Sequence, residues 1–147
     1  MPLAATVARQ KIFDAFWSDD PTHALMHGPT YMANALACAA AGASLDLFAH
    51  EPRLAQVAEI EASLKVGLEP CRDVRGVKDV RIRGAIGVVE FAKLDDIATL
   101  KRRFVERGVF IRPFGDIIYL TPALTISDSD LRRLTEAIVE VVRDEAN

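Results

Sequence analysis

Two short segments of the sequence combine residue types that could bind anionic groups. The first, residues 27–30, reads His-Gly-Pro-Thr and precedes an alanine-rich stretch. If that stretch is a helix, its first amides lack helical partners and carry partial positive charge, so together with the Thr30 hydroxyl they could bind a phosphate. Thr30 could equally act only as the N-cap of the helix, which is the commoner role. The spacing alone leaves both roles open.

The second segment is centred on Arg112. Pro113 follows it directly and favours extended backbone at Arg112. An arginine held in this way could present its planar guanidinium to a carboxylate through two parallel hydrogen bonds. Tyr119 lies on the next predicted strand, so its hydroxyl could share the same pocket. The alternative is a solvated arginine at the end of a strand.

Other reactive side chains give weaker signals. His23 and His27 are four residues apart, but Pro29 disfavours a helix there and no third ligand is evident, so no metal site is predicted. In the alanine-rich stretch, Cys38 is expected to be a small core residue. Cys71 is expected near a loop with its thiol exposed, but no partner histidine can be recognised, so no catalytic cysteine is assigned.

Composition excludes several functional classes. The chain has 147 residues, of which 50% are hydrophobic and 27% charged, with a net charge of -3. This composition suits a packed globular protein and offers no basic excess for binding nucleic acid. No apolar run approaches the roughly 20 residues of a membrane span, and the N-terminus does not resemble a signal peptide. We therefore expect a soluble, cytoplasmic protein that binds neither nucleic acid nor membrane.

Hydrophobic periodicity predicts helices first and then a small sheet. The expected elements are a strand at 3–7, helices at 8–17, 31–48 and 54–68, a hairpin that turns at Gly84 into a strand at 86–91, a helix from Asp95 or Asp96 to Gly108, strands at 109–112 and 117–120, and a last helix that starts at Ser127. This order indicates an α+β fold in which helices pack on a mostly antiparallel sheet.

Several blocks together resemble the class III pyridoxal-phosphate aminotransferases. The blocks are residues 27–32 (HGPTYM) with Asn34 and residues 36–38 (LAC), residues 80–90 (VRIRGAIGVVE), residues 108–115 (GVFIRPFG) and residues 118–120 (IYL). They cover nearly the whole chain and keep the family's order. The resemblance departs from the family at Ala33 and Ala35, where glycine and proline are usual.

The resemblance implies the small C-terminal α+β domain of a fold-type I transferase, preceded by a long interdomain helix. Residues 1–50 would be a remnant of the large cofactor domain, with the cofactor-phosphate loop and the linking helix. Residues 51–147 would form the small domain. The implied cofactor is pyridoxal 5'-phosphate.

The same resemblance assigns roles to individual residues. Thr30 would bind the cofactor phosphate across a dimer interface, with Gly28 and Pro29 in the same loop. Arg112 would bind the substrate carboxylate, and Tyr119 would lie in the substrate pocket. A homo-oligomer is therefore expected.

The blocks at 27–32 and 108–115 narrow the resemblance to transamination in biotin synthesis, with a small keto-amino acid as substrate and S-adenosylmethionine as amino donor. The family's Schiff-base lysine would precede residues 3–7, so the chain is expected to lack it, to contain no catalytic residue and to be inactive alone. Two alternatives stay open. One is a non-catalytic α+β binding or interaction module, and the other is a different class III aminotransferase, acting on ornithine or another ω-amine.

Overall fold

The computed structural model describes residues 3–145 and divides the chain into two compact units between Glu51 and Pro52. The elements are α1 (Gln10–Asp14), α2 (Ala35–His50), α3 (Arg53–Leu68), β1 (Val77–Arg83), β2 (Ile86–Phe91), α4 (Ile97–Glu106), β3 (Ile117–Leu120) and α5 (Asp128–Glu145), with short 3-10 turns at Pro21–His23 and Glu69–Cys71. Within the described residues, no helix has the length and hydrophobicity needed to cross a membrane.

The first unit has almost no core of its own. Among its described residues, only Ala37 is buried. The rings of Phe13 and Trp17 stack with their centroids 5.4 Å apart, yet both side chains are exposed. Further large apolar side chains of this unit are exposed as well: Leu3, Val7, Ile12, Phe16, Leu25, Met26, Tyr31, Met32, Leu36, Leu45, Leu47 and Phe48.

Three predictions for the first unit are corrected. Residues 3–7 do not form a strand, because they have no partner within the described part of the chain and a strand needs one to complete its hydrogen bonds. The first helix is shorter than predicted and covers only Gln10–Asp14. The long helix begins at Ala35 instead of residue 31, because Ala33 has a φ of 54°, which is incompatible with a right-handed helix. Gly42 does not interrupt this helix.

The second unit contains the predicted small antiparallel sheet. Its three strands lie in the order β1-β2-β3, and Val80, Val89 and Ile118 form one row across them. The β1–β2 hairpin turns at Gly84, whose φ is 55°. The Gly84 amide donates to the Glu61 carboxylate at 3.0 Å, which ties the turn to α3.

One face of the sheet is covered by α3 and α5, and the core lies between these layers. The predicted helical stripes supply it, with Ile60, Leu64 and Leu68 from α3 and Leu131, Ile138, Val141 and Val142 from α5. Leu54, in the first turn of α3, is 79% exposed, because only the later turns of the helix face the core.

Both remaining helices begin at the caps that the sequence indicates. The Asp96 carboxylate accepts the Thr99 amide at 2.9 Å, and bonds from the Thr99 side chain and amide lower the pKa of Asp96. The Ser127 hydroxyl accepts the Asp130 amide at 3.1 Å at the start of α5. Gly108 follows α4 with a φ of 72°, the left-handed conformation typical of a residue just after a helix.

Residues 109–112 do not form a strand, contrary to the prediction. Pro113 has no N–H to donate, and the Val109 amide donates instead to the Phe104 carbonyl at 3.1 Å at the end of α4. A single bridge, between Phe114 and Ile117, joins this segment to β3.

Both cysteines lie in environments opposite to those predicted, since Cys71 is buried and Cys38 is exposed. Cys71 is fully buried in the core of the second unit, and burial raises the pKa of its thiol to about 11. Its thiolate is therefore scarce at neutral pH. Cys38 is exposed on α2 instead of contributing to a core. A small or apolar side chain on a helix is buried only where another surface packs against that side of the helix.

Helices α3 and α5 approach closely at Gly67. A β-carbon added there would lie 2.6 Å from Thr135 Oγ1 and 2.7 Å from Thr135 Cβ. Thr135 is buried and its hydroxyl donates to the Arg132 carbonyl at 2.9 Å, so the side chain is fixed within α5. Any side chain at position 67 would force the two helices apart.

We expect Gly67→Ala to destabilise the protein by about 1–3 kcal/mol, because overpacking a fixed contact displaces backbone as well as side chains. Gly42→Ala is the matched control, since a β-carbon there meets nothing within 4 Å and alanine favours a helix by up to about 1 kcal/mol. Urea unfolding followed by circular dichroism measures both. Equal stability of the two variants would contradict the close packing of α3 on α5.

Candidate functional site

The His-Gly-Pro-Thr segment forms a chain of tight turns. The Met32 amide donates to the Pro29 carbonyl at 2.9 Å, and the Asn34 amide donates to the Tyr31 carbonyl at 3.2 Å. Thr30 is exposed at the centre of this loop, and its hydroxyl and amide make no hydrogen bond within residues 3–145. Gly28 has open space on its side-chain face. The loop therefore presents one hydroxyl and one unpaired amide on an uncrowded surface.

Thr30 does not cap a helix. Asn34 is the N-cap of α2, and its side-chain oxygen accepts the Ala37 amide at 3.0 Å. The helix starts five positions after Thr30, at Ala35. The capping role that was open from the sequence is thus wrong, and the Thr30 hydroxyl has no structural role within the described residues. The groups present suit a phosphate, which accepts hydrogen bonds from hydroxyls and backbone amides.

Ala33 stands at the entrance to α2 in a strained conformation. Its φ of 54° is the only positive φ among the non-glycine residues that the structure describes. The left-handed region costs an alanine roughly 1–2 kcal/mol, because its β-carbon approaches a carbonyl oxygen. The departure from glycine noted in the sequence therefore falls at a residue where glycine would be unstrained.

Arg112 and Tyr119 line one cavity in the second unit. Burial alternates along residues 109–114, so that Ile111 and Pro113 are buried and Arg112 is exposed. The cavity has a volume of about 250 Å³, and its remaining lining residues are Phe110, Ile111, Leu120, Thr121, Pro122 and Leu134. One cation, one phenol and one threonine hydroxyl thus share the wall with five apolar residues, which suits an organic molecule that carries a negative charge.

The Arg112 guanidinium is unpaired. It makes no hydrogen bond or ion pair within the described residues, whereas Arg107 binds Glu140 at 3.0 Å and Asp144 at 2.5 Å, and Arg103 binds Glu145 at 2.5 Å. These pairs join α4 to α5 and are structural. Arg112 keeps its planar pair of donors available, which is the requirement for binding a carboxylate at two points.

A tight turn sets the positions of Arg112 and Tyr119. The amides and carbonyls of Phe114 and Ile117 bond to each other at 2.9 and 3.1 Å, with Gly115 and Asp116 between them. In an antiparallel hairpin the residues two steps out from such a pair lie directly opposite each other, and these are Arg112 and Tyr119. The arms are not hydrogen-bonded to each other at that level, and the cavity opens there.

The remaining site predictions have different outcomes. His23 and His27 are both exposed, and no group of three or more potential ligands that could hold a metal occurs among the described residues. The apolar cavity residues Phe110, Pro122 and Leu134 were missed by sequence reasoning. One sequence signal could have indicated that Phe110 lines the cavity. In the predicted strand at 109–112, alternate side chains point to the same side, so residues 110 and 112 would share one face. Thr30 and Arg112 lie in different units.

Comparison with known proteins gives a consistent set of similarities. The family model "Aminotransferase class-III" matches residues 1–142. The adenosylmethionine-8-amino-7-oxononanoate aminotransferase of Mycobacterium leprae is 40% identical over 141 residues, which is 96% of this chain and 32% of that protein. The protein of the same name from Buchnera aphidicola of Acyrthosiphon pisum is 42% identical over 92% of this chain and 32% of its own length. The chain spans about a third of the length of the curated relatives it matches.

Solved structures agree with the fold. An adenosylmethionine-8-amino-7-oxononanoate aminotransferase from Methanocaldococcus jannaschii superposes with a TM-score of 0.73 at 27% identity, covering 84% of this chain and 31% of that one. An amine transaminase from an uncultivated Pseudomonas species, in its PLP-bound form, superposes with a TM-score of 0.76 at 29% identity, covering 94% of this chain and 34% of that one.

We expect Ala33→Gly to stabilise the entrance to α2 by up to about 1 kcal/mol, because relief of the left-handed strain exceeds the extra entropy that glycine has in the unfolded chain. Ala39→Gly is the control, since the same change in the interior of α2 should destabilise the helix by about 0.5–1 kcal/mol. Amide hydrogen exchange in the first turn of α2 reports both effects. Faster exchange in Ala33→Gly would contradict the strain at this residue.

Proposed function

The chain belongs to the class III aminotransferases, which are pyridoxal-phosphate-dependent transaminases, and from this premise we propose that it is the C-terminal part of a biotin-pathway enzyme. The reaction would convert 8-amino-7-oxononanoate to 7,8-diaminononanoate with S-adenosylmethionine as the amino donor. Relatives named for this aminotransferase, at 37–42% identity over nearly the whole chain, support the assignment.

The observation that carries the substrate assignment is the unpaired Arg112 guanidinium in its apolar cavity. The proposed substrate has a carboxylate at the end of a chain of methylene groups. Arg112 would bind the carboxylate through two parallel hydrogen bonds, and apolar walls such as Phe110 and Leu134 would contact the methylene chain. Tyr119 would add a hydroxyl beside the guanidinium. These residues bind and orient the substrate and take no part in bond breaking.

The loop at Gly28, Pro29 and Thr30 would hold the phosphate of pyridoxal phosphate. Its exposed hydroxyl and unpaired amide have the right polarity for phosphate oxygens. When bound, this cofactor acts as an electron sink for the carbon that carries the amino group. The loop's part is to anchor the phosphate and so fix the orientation of the cofactor.

The first unit would function within an oligomer. Its large apolar side chains are exposed, Trp17 at 76% and Met26 at 92% among them, and monomeric proteins rarely leave extensive apolar surface open to water. We propose that a second copy of the polypeptide covers part of this surface. Thr30 would then bind a cofactor phosphate held across the subunit boundary.

We expect the chain to self-associate at tens of micromolar, a range at which a specific interface of ordinary affinity is occupied. Light scattering measures the mass. Trp17→Ser should shift the equilibrium towards monomer, because it removes a large apolar contact. Leu54→Ser is the control, since Leu54 is equally exposed but lies in the second unit. A strict monomer, or equal effects of both changes, would count against this interface.

In the complete enzyme, we expect Arg112→Ala to lower kcat/KM for 8-amino-7-oxononanoate by roughly tenfold to several hundredfold, because each hydrogen bond to a charged group contributes about 1.5–3 kcal/mol. Arg112→Lys should be nearly as harmful, since an ammonium cannot form two parallel bonds. Single-turnover kinetics of that half-reaction is the measurement.

The control for this experiment is Arg75→Ala, because Arg75 is exposed on a turn of the same unit and does not line the cavity. It should leave the half-reaction unchanged. Near-wild-type rates for both Arg112 variants would overturn the proposed substrate contact and return Arg112 to the role of a solvated arginine.

A further inference from the structure

We infer that Asp116 is a positioning residue for the candidate site, fixing the turn that holds Arg112 opposite Tyr119. The inference rests on the proposed function, because it takes Arg112 as the group that binds the substrate carboxylate. Asp116 itself does not line the cavity. Its effect on the substrate is exerted through Arg112.

The turn at Gly115 and Asp116 determines which residues face each other. Gly115 has a φ of 55°, and Asp116 does not have a positive φ, which is the sign pattern of a type II′ turn with glycine at its first central position. A shift of one residue in such a hairpin would place each side chain on the opposite face. Arg112 would then no longer lie opposite Tyr119.

Few backbone hydrogen bonds hold this register. Beyond the bonds between Phe114 and Ile117, the segment that carries Arg112 makes no ladder with β3. On its other side β3 pairs with β2, so the Tyr119 arm is fixed by the sheet. On the Arg112 arm, Ile111 and Pro113 are buried, so side-chain packing holds the arm against the core. The turn sets the register of this arm against β3, and with it the position of the guanidinium opposite Tyr119.

Asp116 tethers the turn through two atoms. Its carbonyl accepts the Phe91 amide at 2.8 Å, and its Oδ1 accepts the Leu94 amide at 2.9 Å. Phe91 and Leu94 are both buried, so these two amides belong to a fixed part of the fold. The side-chain bond is the part that a substitution can remove without changing the backbone. It links the turn to the segment after β2 and restrains the base of the Arg112 arm.

The test compares steady-state kinetics of the cofactor-loaded aminotransferase that contains this segment, with 8-amino-7-oxononanoate as the varied substrate. Asp116→Ala removes the acceptor and should raise KM roughly three- to tenfold with little change in kcat, which matches the loss of one hydrogen bond. Asp116→Asn keeps an oxygen at Oδ1 and should retain the wild-type KM. Asp95→Ala is the control, because it removes an equal, exposed charge that pairs only with Lys93 within the described residues.

A double-mutant cycle with Arg112→Ala separates positioning from a general loss of stability. If Asp116 acts through Arg112, then Asp116→Ala should have no further effect on KM once Arg112 is alanine. An unchanged KM in Asp116→Ala, or an effect that adds fully to that of Arg112→Ala, would overturn the inference and leave the proposed function standing. Should Arg112→Ala itself leave KM unchanged, the proposed function fails, and the inference fails with it.

Asp116→Glu provides a second test if the alanine variant does not fold. It keeps the charge at an exposed position but displaces the acceptor by one methylene group, so KM should again rise. A wild-type KM in this variant, together with a wild-type KM in Asp116→Asn, would show that the exact position of Oδ1 does not matter and would overturn the inference.

Discussion

The second unit depends on the close packing of α3 against α5 at Gly67 and Thr135. Because position 67 has no side chain, the two helices approach closely enough for their apolar faces to form one continuous surface over the sheet. The buried Thr135 hydroxyl is satisfied within its own helix, so the contact costs no unpaired polar group. The sheet, and with it the β3 arm that carries Tyr119, lies against this pair of helices.

The arginines of this unit differ in whether they pair with carboxylates among the described residues. Arg103 and Arg107 bind carboxylates of α5 and so attach α4 to the core. Arg81 bonds Glu90 on the neighbouring strand. Arg112 lines a cavity and has no such partner within residues 3–145. This difference supports the carboxylate-binding role proposed for Arg112.

The two units also differ in how far each is stabilised by its own contacts. The second unit buries most of its apolar residues in one core, whereas the first leaves nearly all of its own exposed. The chain matches about a third of its relatives' length. The phosphate-binding role proposed for Thr30 belongs to this first unit, and there it would depend on contacts supplied by further polypeptide.

The sequence by itself determined the local elements of the second unit. These elements depend on signals between residues that are neighbours along the chain. The signals are the apolar spacing of the helices, the glycine at the hairpin, and the helix ends at Asp96, Ser127 and Gly108. They predicted α3, β1, β2, α4, β3 and α5 correctly. The family resemblance likewise rests on local blocks, and it identified the family. For the candidate site, the sequence proposed Arg112 and Tyr119 and suggested that they share a pocket.

Only the tertiary structure decided which surface lies opposite each residue, because the spacing of apolar residues along the chain does not contain that information. The stripe of α3 includes Leu54, but burial ends where the sheet ends. Cys71 is buried because α5 and β1 both contact the 3-10 turn that carries it. Residues 3–7 form no strand because no partner is present among the described residues. The opposition of Arg112 and Tyr119 depends on a turn whose tether reaches from Asp116 to Leu94, a contact between residues 22 positions apart. No local pattern encodes a contact over that distance, since it exists only after the sheet has formed.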